Sequence, residues 1–246
     1  MSSLGSRAAR KPDFGKRAAV YDELRPADEN WWELYELLVN EGDLRGRRVV
    51  DVGCGTGLFA EALAREATVA GVDPEPAMLE VAAGRGLQLH EAGAERLPFP
   101  DGSFERAVMR LVVHLVDRPR AFAEARRVLV EAGVLVVATF DPSHFDDFWL
   151  NRLFPTFEAI DRARFPSAET LERELLGASF SDVRFVYLSQ GGSLDRDAAL
   201  DRIRGQHIST FDLVDQDEYD AGLARAEVEL PDRVEYRIEW LVAVAR

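Results

Sequence analysis

Val49-Val50-Asp51-Val52-Gly53-Cys54-Gly55-Thr56-Gly57-Leu58-Phe59 is the stretch whose reading decides the fold. A valine-rich run from Arg48 to Val52 predicts a buried strand. It ends in a turn with three glycines in five residues, and a helical pattern from Leu58 to Arg65 follows. Glycines let the backbone turn sharply and let a ligand approach the main chain without Cβ atoms in the way. A helix opening directly beyond presents unpaired N–H groups to whatever sits there. The whole reads as strand, nucleotide-type loop, helix.

Two ligand classes use such a loop. The dinucleotide fingerprint G-x-G-x-x-G needs a third glycine so that helix and strand pack closely. After Gly53 and Gly55, Leu58 stands in its place. The pattern is instead D-x-G-x-G-x-G, with Asp51 at the strand end. Val69-Ala70-Gly71-Val72-Asp73 predicts a second strand. It ends in an acid about 20 residues after the first glycine, the spacing expected of a carboxylate that pairs with ribose hydroxyls. The other reading of Asp73 is an N-cap ahead of a helix from Pro74 to Val81, and the two roles are compatible.

Three strings together, V-V-D-V-G-C-G-T-G-L, G-V-D-P-E-P-A-M (Gly71 to Met78) and A-E-R-L-P-F-P-D-G-S-F-E (Ala94 to Glu105), resemble the motifs of class I S-adenosylmethionine (SAM)-dependent methyltransferases of small-molecule type. The resemblance implies an α/β fold, a doubly wound seven-stranded sheet, mostly parallel with strand seven antiparallel, under a helical cap. It implies SAM as methyl donor, S-adenosylhomocysteine as product, no metal, and in-line transfer to an O, N or C atom of a small-molecule acceptor. In that frame Asp51 holds the methionine amino group through water, and Gly53, Cys54, Gly55 and Gly57 form the loop. Asp73 takes the ribose, while Pro74 and Met78 flank the adenine. The family's adenine loop normally offers a carboxylate where Gly93 stands, so adenine recognition falls to the main chain of Ala94 or to Glu95 as a substitute.

Strand four, Glu105 to Met109, delivers Arg110 and His114 to the carboxyl edge of the sheet, where ligands of open α/β folds bind. A helix starting there would put the two on one face. His114 falls where the family often carries a histidine, a suitable general base near neutral pH. The other reading is a partly buried histidine bonded to backbone. Arg110 suits a bidentate grip on an acceptor carboxylate, or contact with the cofactor, or an ion pair with Asp117 or Glu105. A-A-V-Y-D-E-L-R-P (Ala18 to Pro26) resembles the N-terminal lid of small-molecule members, which would bring Tyr21 and Arg25 near the acceptor; Tyr21 packed on the core is the alternative. The catalytic candidates are therefore His114, Arg110 and Tyr21, with Tyr21, Arg25 and His144 on the acceptor side.

Length and composition set the frame. With 246 residues, 47% of them apolar, a single domain is expected over 14–246, behind a mobile tail at 1–13. Segments 14–35, 141–166 and 190–232 are expected to form the cap. Asp28 or Asn30 should cap a helix from Trp31 to Val39, with Trp32, Tyr35, Leu38 and Val39 packed inward. Glu131-Ala132-Gly133 is expected to turn into strand five, Val134 to Phe140. Phe145, Trp149, Leu153 and Phe157 recur at helical spacing until Pro155 interrupts them. Ser167 should cap a helix to Leu176, and strands six (Ser181 to Leu188) and seven (Arg233 to Val244) flank helices at Asp195 to Arg204 and Asp217 to Val228.

No run of eighteen apolar residues and no apolar leader between Met1 and Lys16 point to a cytoplasmic protein without a membrane partner. The lone Cys54 excludes an internal disulfide framework and reads as a small loop residue. A net charge of −14 argues against nucleic acid, since the basic cluster is confined to Arg7, Arg10, Lys11, Lys16 and Arg17. Lys11 and Lys16 are the only lysines, so Schiff-base chemistry in the core is excluded. A monomer or homodimer is expected. Two competing readings remain: a SAM-binding sensor or partner subunit without catalysis, favoured by Gly93, and a NAD-type oxidoreductase, disfavoured by Leu58.

Overall fold

The computed structural model describes residues 12–246, so most of the basic cluster and of the expected tail lies outside the described residues. The strands are β1 (Arg48–Val52), β2 (Thr68–Asp73), β3 (Gln88–Glu91), β4 (Phe104–Arg110), β5 (Leu129–Phe140), β6 (Val183–Asp195) and β7 (Arg233–Ala245). They form one sheet in the order β3-β2-β1-β4-β5-β7-β6. The first five are parallel, and β7 runs antiparallel to both β5 and β6. Chain order leaves β1 in both directions, and this reversal opens a crevice at the carboxyl ends of β1 and β4.

Central strands buried on both faces must be apolar throughout. Val49, Val50 and Val52 accordingly have no exposed surface. The helices are α1 (Tyr21–Leu24), α2 (Glu29–Gly42), α3 (Leu58–Leu63), α4 (Pro76–Ala83), α5 (Arg118–Val128), α6 (Phe157–Arg164), α7 (Ala168–Gly177), α8 (Arg196–Arg204) and α9 (Gln216–Glu229). Phe122 of α5 and Leu171 of α7 pack on one face of the sheet. Leu38 of α2 and Phe59 of α3 pack on the other. A third core, including Phe154, Phe157, Ile203 and Phe211, belongs to the cap.

Local chemistry accounts for where the elements begin. Asp28 caps α2 by accepting from Trp31 N at 2.9 Å, Ser167 caps α7 from Thr170 N at 3.2 Å, and Asp195 caps α8 from Ala198 N at 2.7 Å. Within α2, Leu34, Tyr35, Leu38 and Val39 are buried, but Trp32 is 42% exposed. It sits at the margin of the apolar stripe, edge-on to Trp31 and Tyr35.

Three expectations give way to tertiary structure. No helix follows β4, because Leu111 adopts a left-handed φ of 57° and donates to Ala138 O, continuing the contact with β5. Glu131 to Gly133 do not turn; they lie within β5, where pairing jumps from Phe104–Leu129 to Arg106–Val134 and the extra residues bulge. Strand β6 runs past Leu188 to Asp195, paired with β7 from Val183–Ala245 to Asp195–Arg233. Gly192 permits this extension, since a Cβ there would lie 2.4 Å from the Tyr236 ring. As Pro155 requires, the aromatic run splits into 3-10 turns at Pro142–Phe145 and Trp149–Arg152, with α6 starting beyond it.

The N-terminal segment, a 3-10 turn Gly15–Val20 followed by α1, is fastened to the β6–β7 insert. Asp212 accepts from Asp13 N at 3.1 Å and pairs with Lys16 and Arg17. Arg17 is 2% exposed, and its Nε and Nη1 have no other partner. Asp212→Ala would strand a buried guanidinium. Urea unfolding should then show a loss of about 3–5 kcal/mol. A loss below about 1 kcal/mol would mean that Arg17 reaches solvent when unpaired.

Candidate functional site

The three loop glycines do different jobs. Gly53, Gly55 and Gly57 have φ of 74°, 55° and 80°, all in the region that favours glycine. A Cβ on Gly53 would lie 2.4 Å from Val112, and one on Gly57 would lie 2.9 Å from Leu87. These two permit packing. At Gly55 no atom comes within 4 Å of that position, so the main chain there is open to a ligand.

The loop is pinned to the end of β2. Gly53 N and Cys54 N donate to Val72 O at 2.7 and 3.0 Å. Asp73 Oδ2 accepts from Gly55 N at 2.8 Å, and Oδ1 accepts from Glu75 N at 2.9 Å. The N-cap of α4 is Glu75, which accepts from Ala77 N, so capping is not the role of Asp73. Burial raises the Asp73 carboxyl above its ordinary range, and the two backbone N–H groups oppose that rise.

A cavity of about 570 Å³ runs from this loop to the cap. At the loop end it is lined by Gly53, Cys54, Gly55, Asp73, Pro74 and Met78, with Ala94 and Glu95 beside them. Arg110, His114, Tyr21, Arg25 and His144 line it as well. Of the expected site residues, Asp51 and Gly57 do not line it. Gly57 faces Leu87 and Ala82. Asp51 is buried in β1 with Oδ2 unpartnered, and desolvation pushes its carboxyl up to about 7 despite the nearby Arg110. Burial also raises the Cys54 thiol, which makes it a poor nucleophile.

Glu95 stands over the glycine that replaces the expected carboxylate. Its Oε1 accepts from Asp117 N at 2.9 Å, and its Oε2 lies 3.1 Å from where a Cβ on Gly93 would be.

His114 stacks on Phe165 with centroids 4.1 Å apart, and its Nδ1 has no partner. The backbone-bonded reading of this nitrogen is therefore wrong. Burial, then Arg164 and Arg25, hold its pKa well below the usual histidine value. His144 packs between Phe140 and Phe148, and burial lowers it to about 4. Arg110 pairs with neither Asp117 nor Glu105: Asp117 caps α5, and Glu105 turns to Arg47 and Arg48. Its guanidinium lies 6.0 Å from the Trp31 ring instead. Tyr21 is only half-buried and its hydroxyl accepts from Arg25 Nη1 at 3.0 Å, so it is not a core residue.

Two features escaped the sequence. Asp22 accepts from Thr56 Oγ1 at 2.6 Å and pairs with Arg85, so α1 is laid over the glycine loop. The cue lay inside the lid string, one residue after Tyr21. Arg202 of α8 and Trp240 of β7 also line the cavity. The first sits in a polar helix that reads as surface, and nothing marked it.

The residues present fit SAM. An orphaned carboxylate oxygen on Asp51, open main chain at Gly55 and the Asp73 carboxylate suit its amino, backbone and ribose portions in turn. Among the described residues no cluster of His, Cys, Asp or Glu could hold a metal, and no helix is long and apolar enough to cross a membrane.

A family model described as a methyltransferase domain matches residues 50–137. The chain is 30% identical over 218 residues to a ubiquinone/menaquinone biosynthesis C-methyltransferase of Citrifermentans bemidjiense, a match covering 72% of this chain and 90% of that one. It is 32% identical over 149 residues to a malonyl-[acyl-carrier protein] O-methyltransferase of Halorhodospira halophila, covering 57% and 50%. Among solved structures, one from Anabaena variabilis, described as a methyltransferase of an antibiotic biosynthesis pathway, superposes with a TM-score of 0.68. That match has 21% identity and covers 86% of this chain and 96% of the other.

The position of Asp51 makes a pH dependence. With its carboxyl at about 7, it is largely neutral at pH 6 and gains the charge needed to pair with an ammonium as pH rises. SAM affinity should therefore tighten between about pH 6 and 7.5, with proton release on binding, and Asp51→Asn should flatten the profile. Calorimetry in buffers of different ionisation enthalpy reads both; a flat wild-type profile would remove Asp51 from the amino-group site.

Proposed function

This chain belongs to the class I SAM-dependent methyltransferases, and from that premise we propose that it methylates a small-molecule acceptor enclosed in the capped cavity. The carrying observation is that one hollow is lined by the glycine loop, Asp73, His114 and an aromatic wall that includes Phe165, on which His114 stacks. Membership removes the NAD-type and non-catalytic readings.

SAM, when bound, supplies an electrophilic methyl group on a sulfonium that is already a good leaving group. The protein's task is then alignment and exclusion of water. Asp51, set back from the cavity wall, acts on the amino group through water, and the main chain of Gly53, Cys54 and Gly55 lies along the methionine portion. Gly57 keeps α3 and α4 close enough for that loop to form. Asp73 takes the ribose, Pro74 and Met78 flank the adenine, and the Ala94 backbone with Glu95 meets its edge. Glu95 is well suited to stand in for the carboxylate that Gly93 lacks, given how it folds over that glycine.

His114 is the general base for any acceptor that must lose a proton. A depressed pKa keeps its imidazole neutral at pH 7, and the unpartnered Nδ1 is free to accept. Tyr21, Arg25 and His144 shape the acceptor side, while Arg110, which acts on Asp51, stands by the cofactor's methionine portion. The two relatives act on carbon and on oxygen by their names, so membership alone leaves the acceptor atom open. The single domain spans 14–246 with its cap at 14–35, 141–166 and 190–232, and works in the cytoplasm as a monomer or homodimer without nucleic acid.

Release of S-adenosylhomocysteine across a panel of phenols, amines and carboxylic acids tests the activity directly. Asp73→Ala should weaken SAM about 10- to 100-fold through loss of a bidentate charge-assisted contact; unchanged affinity would argue against the ribose role. His114→Ala should cut turnover while sparing SAM affinity. At saturating SAM, wild-type turnover should stay level from about pH 8 down to pH 6, whereas an ordinary imidazole loses half its base form near pH 6.5. A half-point near pH 6.5 would show that His114 is not the group that limits turnover.

A further inference from the structure

Arg25, Arg110 and Arg202 all line the cavity, and among the described residues none of them is in an ion pair. The carboxylates sharing that wall are committed elsewhere. Asp22 holds Thr56 and Arg85, and Asp28 caps α2; their charges reach Arg110 and Arg202 respectively only from beyond ion-pair distance. Asp73 and Glu75 hold backbone N–H groups of the loop and α4, and Glu95 holds Asp117 N. Asp161 pairs with Arg164 and accepts from Thr210. The whole chain carries −14, yet three guanidiniums lining this hollow have no carboxylate in ion-pair contact among the described residues.

A charge count separates the three arginines. SAM brings one carboxylate, one ammonium and one sulfonium, so its binding adds net positive charge to the cavity. Arg110, the arginine that acts on Asp51, sits at the methionine end and is the one suited to the cofactor's carboxylate. Arg25 and Arg202 are then left over. They come from separate cap segments, Arg25 at the end of α1 and Arg202 within α8. Their hydrogen-bond partners are the neutral hydroxyls of Tyr21 and Tyr236. His207, beside them, accepts no charge of its own: burial and these two arginines hold it at about 3. Two unpaired guanidiniums kept near each other in a partly desolvated pocket are unfavourable until an anion bridges them.

We propose that Arg25 and Arg202 form an oxyanion subsite, so that the methyl acceptor is a planar conjugated molecule bearing a carboxylate or phosphate. The proposal rests on the methyltransferase reading. Planarity follows from the remaining walls, where Phe140, Phe148, Phe165 and Trp240 line the same space. The anion ties down one end of the acceptor, which leaves the other end to meet the methyl group near His114.

The test uses the full chain loaded with S-adenosylhomocysteine, titrated calorimetrically with benzoate, cinnamate and phenyl phosphate against benzamide and cinnamamide. At least one anion should bind about 10-fold or more tightly than its neutral counterpart, and the preferred anion identifies carboxylate or phosphate. Arg202→Gln should weaken that anion about 10- to 100-fold, Arg202→Lys should restore part of it, and both should leave S-adenosylhomocysteine affinity within about twofold. Arg110→Gln should do the reverse, weakening the nucleoside and sparing the anion. Anions binding no better than amides, or an Arg202→Gln variant that binds them as wild type does, overturns the subsite. Failure of wild type to bind S-adenosylhomocysteine would instead overturn the methyltransferase reading.

Discussion

Asp73 accepts the Gly55 N–H through one oxygen and the Glu75 N–H through the other, and this pair of bonds fixes the glycine loop of β1 to the end of β2. The carboxylate is almost wholly buried, so without those donors its charge would be costly to hold. Because a carboxylate has about four acceptor positions, two stay available after the backbone is satisfied. The residue that shapes the loop is thereby the one suited to a sugar's hydroxyls. Val72 O reinforces the arrangement by accepting from both Gly53 and Cys54. The nucleoside end is preorganised by backbone geometry and does not depend on long side chains finding one another.

The acceptor end is assembled differently. Its walls come from three chain segments distant in sequence, and the N-terminal stretch joins them. Asp22 rests on Thr56 and Arg85 beside the glycine loop, while Arg17 and Lys16 reach Asp212 in the β6–β7 insert. One short stretch thus spans both halves of the cavity. Tyr21 and Arg25, bonded to each other, lie in that same stretch and line the cavity. The same stretch that rests on the glycine loop is thereby tied to the β6–β7 insert.

How much of this could be read from sequence follows from how local each cause is. The glycine loop, Asp73 at a strand end, and the caps at Asp28 and Ser167 depend on residues within a few positions of each other, so spacing alone is informative. Apart from the shift of the α4 cap from Asp73 to Glu75, the failures are tertiary. A left-handed Leu111 replaces a helix because its N–H is claimed by β5, and Glu131 to Gly133 are drawn into a bulged strand by pairing with β4. Trp32 obeys the helical period yet lies at the margin of the buried stripe, where the sheet no longer covers it. Gly57 belongs to the motif by sequence and to helix packing by geometry. Arg202 looked like surface because only the fold of the insert turns that part of α8 toward the cavity.

The long β6–β7 ribbon bears on how such a pocket can change. Asp195 and Arg233 are directly paired at its tip, and Arg196 N donates to Asp232 O, so residues 196–232 leave and return at one point. A segment whose ends are already held together costs little extra closure entropy when it lengthens or is rewritten. The sheet and its glycine loop therefore tolerate drift in the insert. Ligand preference can diverge among descendants of this architecture while the nucleoside half stays as it is, much as a tool handle accepts interchangeable heads.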